Sequence, residues 1–234
     1  CESLSSAKRL YSHIGIKCPR LVRCWQKNEH EISGLLDNLD VEVVGLISDA
    51  GTPCISDPGY RVVKYWHERD WPVSALAGPC AAAVALSMSG LPSDRFQFNG
   101  FLSDKTVARK KQLDKIKSSG HSAILYESPR RVVDLLKDVS EVFGEEHQVF
   151  VVKEMTKVHE RYIRGSAGEV LQVLKKWQIK GEFVVVLSGV DVQPEWRDKA
   201  KILSRYLSTQ DAARACSELY AVSKSKVYDF LLGK

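Results

Sequence analysis

Ser48-Asp49-Ala50-Gly51-Thr52-Pro53-Cys54-Ile55-Ser56-Asp57-Pro58-Gly59 separates an apolar run, Val43-Val44-Gly45-Leu46-Ile47, from the stretch Tyr60-Arg61-Val62-Val63-Lys64-Tyr65-Trp66. The apolar run reads as a buried strand and the following stretch as a helix. Asp57 is placed to cap that helix, and Pro58 suits its first position, where a missing N–H costs nothing. Strand-to-helix connections usually hold about 2–6 residues, so a loop of this length needs a reason beyond turning the chain. In an open α/β sheet, ligands sit beyond the carboxyl ends of the strands. The stretch therefore predicts an α/β fold with a ligand-binding loop, against the plainer reading of a connection rich in turn formers.

Working outward, Leu4, Ala7, Leu10 and Ile14 repeat at helical spacing, and Arg20 to Cys24 reads as a short strand. Asn28 and Glu31 form a capping-box pattern before Ile32, Leu35, Leu36 and Leu39. After the strand at 42–47 and a helix at 58–69, Trp71 to Leu76 is a further strand. Ala77-Gly78-Pro79-Cys80 then turns into Ala81-Ala82-Ala83-Val84-Ala85-Leu86-Ser87-Met88, a helix of small side chains that admits close backbone approach. This alternation argues for a mostly parallel sheet. Gly90-Leu91-Pro92-Ser93 marks a boundary. Beyond it, Phe96, Phe98 and Phe101 alternate as in a half-buried strand, and a basic helix covers 106–118. His121 to Tyr126 is a strand, and Ser128-Pro129 starts a helix with Val132, Val133, Leu135, Leu136 and Val139 inside. Strand 148–153, a hairpin-like stretch from Glu154 to Arg164, helix 167–177 and strand 182–188 follow. From Trp196 the pattern is helical only, and its last two helices suit a helix-turn-helix-like module or a packed lid.

Hydrophobic residues make up 44% of the 234, enough for a real core without staples. No apolar stretch reaches the ~18–20 residues of a membrane span, and no signal peptide is visible. Six cysteines without a CxxC pair or a His/Cys metal spacing fit a reducing cytoplasm and predict no metal. The net charge of +5 alone says little about partners. Its placement says more: Lys105 to Lys117 holds six basic residues against one acidic.

SDAGTPCISDPGYRVV, LAGPCAAAVALSMSGLPSDRFQFNGFL, ILYESPRRVVDLL and VVKEMTK, in this order, resemble the ribosomal RNA small subunit methyltransferase I family of the tetrapyrrole methylase superfamily. The tail TQDAARACSELYAVSKSKVYDFLL is similar to that family's C-terminal helical segment. The resemblance implies a two-domain tetrapyrrole-methylase-like α/β fold of open sheets with flanking helices. Its lobes would be 1–92 and 93–190, with a helical tail at 191–234. It implies S-adenosylmethionine as cofactor, a homodimer, and 2′-O-methylation of a cytidine ribose in small-subunit ribosomal RNA. The family's opening strand and loop, close to TPIGNL, fall before Cys1. Glu2-Ser3-Leu4-Ser5 stands where the family carries a motif close to AEDTR. The first lobe is thus expected to be incomplete at its start.

Carried over motif by motif, the resemblance assigns the cofactor to Asp49, Ala50, Gly51 and Thr52, to Cys80, Ala81 and Ala82, to Tyr126 and Glu127, and to Gly181. Glu154 and Thr156 line its cleft. Methyl transfer is an in-line displacement, and a ribose hydroxyl gains from a base or a stabilising cation. Asp49, Glu127 and Glu154 are the candidate bases, with Glu154 favoured, and Arg130 is the candidate cation. Phosphate contacts are expected from Lys105, Arg109, Lys110, Lys111, Arg130, Arg131, Lys224 and Lys226. The competing readings are a methyltransferase acting on a porphyrin or corrin and a non-catalytic RNA- or ribosome-binding relative.

Overall fold

A computed structural model describes residues 1–25, 28, 31, 32, 34, 42–191 and 195–233. Its centre is a five-stranded sheet built from β1 (Phe96–Gly100), β2 (Ser122–Glu127), β3 (Gln148–Lys153), β4 (Arg161–Ser166) and β5 (Phe183–Leu187), in the order β1-β2-β5-β3-β4. β1 and β2 are parallel, whereas β5 runs antiparallel to both β2 and β3, and β4 antiparallel to β3. The carboxyl ends of β1, β2 and β3 therefore share one edge with the amino ends of β4 and β5. This mixed sheet lies wholly beyond Gly90, whereas the mostly parallel sheet was expected from the alternation before it.

β5 lies in the middle, and every one of its residues is buried, which accounts for its unbroken Phe-Val-Val-Val-Leu sequence. Alternate strand residues serve two layers. Ala123, Leu125, Val149, Val151, Val185 and Leu187 meet three helices: α4 (Thr106–Ser119), α5 (Val132–Phe143) and α6 (Ala167–Leu174). Ile124, Phe150, Val152, Val184 and Val186 meet α3 (Ala81–Ser89) on the other face through Ala82, Ala85 and Leu86. The small side chains of α3 let it sit close to the sheet, and Gly90 ends it in the left-handed conformation.

Before α3 come α1 (Leu4–His13) and α2 (Tyr60–His67). Segments 42–47 and 71–76, read as strands, join no ladder among the described residues, and Val43 and Leu76 are 84% and 95% exposed. A strand assignment needs a partner row of N–H and C=O groups, and none is paired with them here. The strand read at 20–24 is realised in part: the Cys1 amine donates to Val22 O at 2.9 Å and Cys24 N to Cys1 O at 2.7 Å, the bond pair of a parallel bridge. In α1 only Ala7 is buried, so the apolar stripe of Leu4, Leu10 and Ile14 is largely uncovered. Most of the helix read after Asn28 lies outside the described residues. Asn28 itself caps backward, its Oδ1 accepting from Trp25 N at 2.9 Å, and Ile32 packs with Cys24, Val62 and Tyr65.

Two helix starts differ from the sequence reading. α2 begins after Gly59, at φ +136°, rather than at Pro58, and no side chain caps it. Only glycine fits there, since an added Cβ would meet Leu46 at 2.7 Å and Cys54 Sγ at 3.1 Å. α5 begins after Arg131, because Ser128 and the residues behind it form a turn in which Ser128 O accepts from Arg131 N and Val132 N.

The tail forms α7 (Glu195–Leu203), α8 (Thr209–Tyr220) and α9 (Lys224–Leu231), packed on one another around Trp196, Ala200, Ala213, Cys216 and Val227. Ser208 and Ser223 cap α8 and α9, and Ala221 turns the chain between them in the left-handed conformation. The three helices share a buried cluster of their own.

One half-buried histidine makes the sheet body sensitive to acid. His147 lies against Phe143 at 4.5 Å, and its Nε2 is buried without a hydrogen-bond partner among the described residues. Burial first, then the neighbouring Lys117 ammonium, lowers its pKa to about 4. The unfolded chain takes up this proton near pH 6.5 and the folded chain does not, so stability is complete above pH 6.5 and falls as pH drops toward 4. Allowing for partial exposure, the loss is on the order of 2 kcal/mol. Urea titrations of wild type and His147→Gln at pH 7 and pH 5 should show the wild type losing more between the two.

Candidate active site

All the ligand-facing segments read from the sequence lie along the sheet edge where β1, β2 and β3 end. The Ser48–Gly59 loop is folded tightly at its start: Ser48 Oγ donates to Ala50 O at 3.2 Å and Gly51 O at 2.8 Å. Gly51 has φ +76°, and a Cβ there would crowd Pro79 O at 3.3 Å. Thr52 Oγ1 donates to the same Pro79 O at 3.0 Å. The Asp49–Thr52 stretch is thus joined to the segment leading into Cys80, Ala81 and Ala82. Cys54 and Ser56 also hold positive φ, at 69° and 68°. Non-glycine residues in that region store backbone strain, which clusters at ligand sites.

Tyr126, at the end of β2, connects this pair of segments to the sheet. Its hydroxyl accepts from Ala82 N at 3.1 Å, at the first turn of α3. Burial first, then the Cys80 thiol beside it, raises the pKa of that hydroxyl above its ordinary value. The next residue, Glu127, has a fully buried side chain. Its carboxylate accepts from Ser128 N at 2.7 Å and pairs with Arg131 at 3.0 Å, and Arg131 also donates to Leu102 O at 2.6 Å. Glu127 and Arg131 therefore fix the strand end and the chain after β1.

At the end of β3, Glu154 and Thr156 hold φ +50° and +63°. Glu154 N donates to Glu182 O, and Glu154 Oε1 accepts from Glu182 N, both at 2.9 Å. Lys157 bridges Glu154 at 3.1 Å and Glu182 at 2.8 Å. These bonds, the Glu182 amide foremost, hold the Glu154 carboxyl below its usual range. Gly181, at φ +85°, leaves room for that carboxylate, which any side chain there would overlap. The same edge gathers acid. Asp57 is held above the ordinary carboxylate range by burial first, then by the charges of Glu2, Asp49 and Glu182. Loop 48–59, the chain start and the 181–182 turn hence surround one electronegative spot. Asp49 is exposed and makes no salt bridge among the described residues.

The basic residues divide. Lys105, Lys111, Arg130, Lys224 and Lys226 are exposed. Arg109 is a correction: it is 4% exposed, with Nε 2.6 Å from Asp138, and so cannot reach a phosphate. Lys110 is paired with Glu141, and Arg131 is committed to Glu127. Phe96, Phe98 and Phe101, expected half-buried, are 52%, 37% and 56% exposed. The sequence reading missed Lys157 as the bridge between Glu154 and Glu182, and nothing in its spacing marked it. It also missed Pro79, whose carbonyl joins the two ligand segments.

Two concave pockets lie elsewhere, one of about 370 Å³ between α7 and α9 and one of about 520 Å³ beside α5 and α6. Among the described residues no three His, Cys, Asp or Glu side chains gather as for a metal, no helix is long and apolar enough to cross a membrane, and the six cysteines are free thiols.

Residues 4–171 match the family Tetrapyrrole (Corrin/Porphyrin) Methylases. The chain is 35% identical to a Ribosomal RNA small subunit methyltransferase I of Haemophilus influenzae over 235 residues, 94% of this chain and 82% of that one. It is 37% identical to the protein of the same name in Escherichia coli O157:H7, over 95% of this chain and 81% of the relative. Among solved structures, diphthine synthase superposes with a TM-score of 0.54 at 16% identity, covering 79% of this chain and 74% of that one. At that identity the likeness is one of fold.

Proposed function

The chain belongs to the tetrapyrrole methylase family, and from that premise we propose that it uses S-adenosylmethionine to methylate a cytidine ribose 2′-hydroxyl of small-subunit ribosomal RNA. The observation that carries this reading is the joining of Asp49–Thr52 to the Cys80–Ala82 segment through Pro79, with Tyr126 tying both to the sheet edge. The residues fit such a cofactor. The Asp49–Gly51 backbone is exposed, and Gly51 has no side chain to fill the approach. Asp49, Ala50, Gly51, Thr52, Cys80, Ala81 and Ala82 would hold it, with Tyr126, Glu127 and Gly181 shaping the far wall.

S-adenosylmethionine supplies an electrophilic methyl group on a sulfonium. The protein's own part is alignment and proton handling. Of the three candidate bases, Glu127 is enclosed with Arg131, and Glu154 is held in its anionic form by the Glu182 amide and Lys157. Both serve as struts. Asp49 is exposed on the ligand loop, and it is the carboxylate we assign to accept the ribose proton. The acidic surroundings of Asp57 suit a cationic donor better than its neutral product. Lys105, Lys111, Arg130, Lys224 and Lys226 supply the exposed cations for RNA phosphates. The lobes 1–92 and 93–190, the 191–234 tail, a homodimer and a cytoplasmic setting belong to the same proposal.

The test offers the purified chain methyl-labelled S-adenosylmethionine with isolated small ribosomal subunits, free ribosomal RNA or a porphyrinogen. Label should enter the RNA and survive digestion as a 2′-O-methylated nucleoside. Label confined to the porphyrinogen, or on a base rather than a ribose, refutes the substrate assignment. Donor binding without transfer to any acceptor favours a non-catalytic relative.

A further inference from the structure

β1 is an edge strand, and the face it shares with α3 is left open. α3 packs on β2 and β5 and leaves Phe96, Phe98 and Phe101 at 52%, 37% and 56% exposure. Single exposed rings are ordinary, but neighbouring ones beside a ligand loop form a patch that calls for an occupant. Their placement is built. The parallel pairing of β1 with β2 slips by one residue, Phe98 lying opposite Ile124 and Gly100 opposite Leu125, and Gly100 takes φ +58°. Such bulges bend a strand and re-aim its side chains. The chain turns so that Phe101 returns to 5.9 Å from the Tyr126 ring at 69°, while Phe98 meets the same ring at 4.9 Å and 68°.

Gly100 also lies beside the ligand loop, where an added Cβ would fall 3.5 Å from Ser56 Oγ, so the aromatic patch continues the site. It abuts the loop at Ser56 rather than at the Gly51–Pro79 junction. From it the chain runs directly to exposed Lys105 and Lys111 on the next helix. An aromatic surface next to phosphate-binding cations is what single-stranded RNA recognition requires, because every base offers a flat face.

We propose that Phe98 and Phe101, braced edge-on by Tyr126, form a shelf on which an unstacked nucleobase of the RNA substrate lies. The proposal rests on the RNA-methylation reading above and assigns that reading its base contact. Phe98→Ala and Phe101→Ala should each weaken binding to isolated small ribosomal subunits about 5- to 150-fold, the worth of one base–aromatic stack. Affinity for S-adenosylmethionine by calorimetry should stay within about twofold. Phe101→Trp, which keeps a stacking face, should retain RNA affinity. The dependence of RNA binding on salt should keep its slope in the phenylalanine variants, whereas Lys105→Ala should reduce that slope by about one.

Unchanged RNA affinity in Phe98→Ala and Phe101→Ala overturns the shelf. So does a loss of donor affinity, which makes the donor's adenine the occupant, or a fall in mass by sedimentation, which makes it a second copy. A wild-type chain that binds the donor but not RNA sinks the shelf while leaving methyl transfer to another acceptor standing.

Discussion

Arg109→Ala lowers the unfolding free energy by about 3–5 kcal/mol, the cost of leaving one partner of a buried ion pair alone. Arg109 and Asp138 have side chains 4% and 6% exposed and meet at 2.6 Å, bolting α4 to α5 on the outer layer of the sheet. Lys110 lies 3.7 Å from the other Asp138 oxygen and is itself one-third exposed, so it recovers only part of the loss. Urea unfolding of the variant measures the effect. The paired replacement Arg109→Met with Asp138→Leu should recover most of it, since apolar residues of similar volume often match or exceed such a pair. If Arg109→Ala unfolds like wild type and instead binds ribosomal RNA more weakly, the residue is a phosphate contact after all.

Gly51→Val should weaken S-adenosylmethionine binding by about 30-fold or more, roughly 2 kcal/mol. The φ of +76° is unfavourable for any β-branched residue, and the new Cβ would stand 3.3 Å from Pro79 O, a backbone atom that cannot rotate aside. The loop then parts from the Cys80–Ala82 segment. Because Gly51 itself is exposed, the urea midpoint should move little. Calorimetry with the donor separates the two effects, and an unaltered affinity would show that the loop does not hold the cofactor.

The sheet body was legible where burial is two-sided. Gln148–Lys153 and Phe183–Leu187 read as strands because near-continuous Val-rich runs have few other uses, whereas segments 42–47 and 71–76 carry a similar pattern without a pairing row. Helix starts were misplaced at Asp57-Pro58 and at Ser128-Pro129, where a cap-and-proline signal competes with a turn just behind it. Arg109 was readable by period: Arg109, Leu113 and Ile116 are the buried residues of α4 at four- and three-residue spacing. Charge type was weighed there before position. In the candidate site, Gly51 and the small residues of 80–82 were legible in the sequence, and the structure brings the two stretches together at Pro79. The strut role of Glu154 was hidden because its amide partner, Glu182, lies 28 positions away in the chain.

The Tyr126 hydroxyl makes the start of α3 part of the sheet's rigid frame, so breathing of the cleft falls to the loop opposite. The described side-chain bond from Thr52 to that frame is one exposed 3.0 Å contact with Pro79. A bond of that kind is worth about 1 kcal/mol, not far above RT. In the proposed site, an entering donor would therefore find the Thr52 end of the loop cheaper to displace than the start of α3.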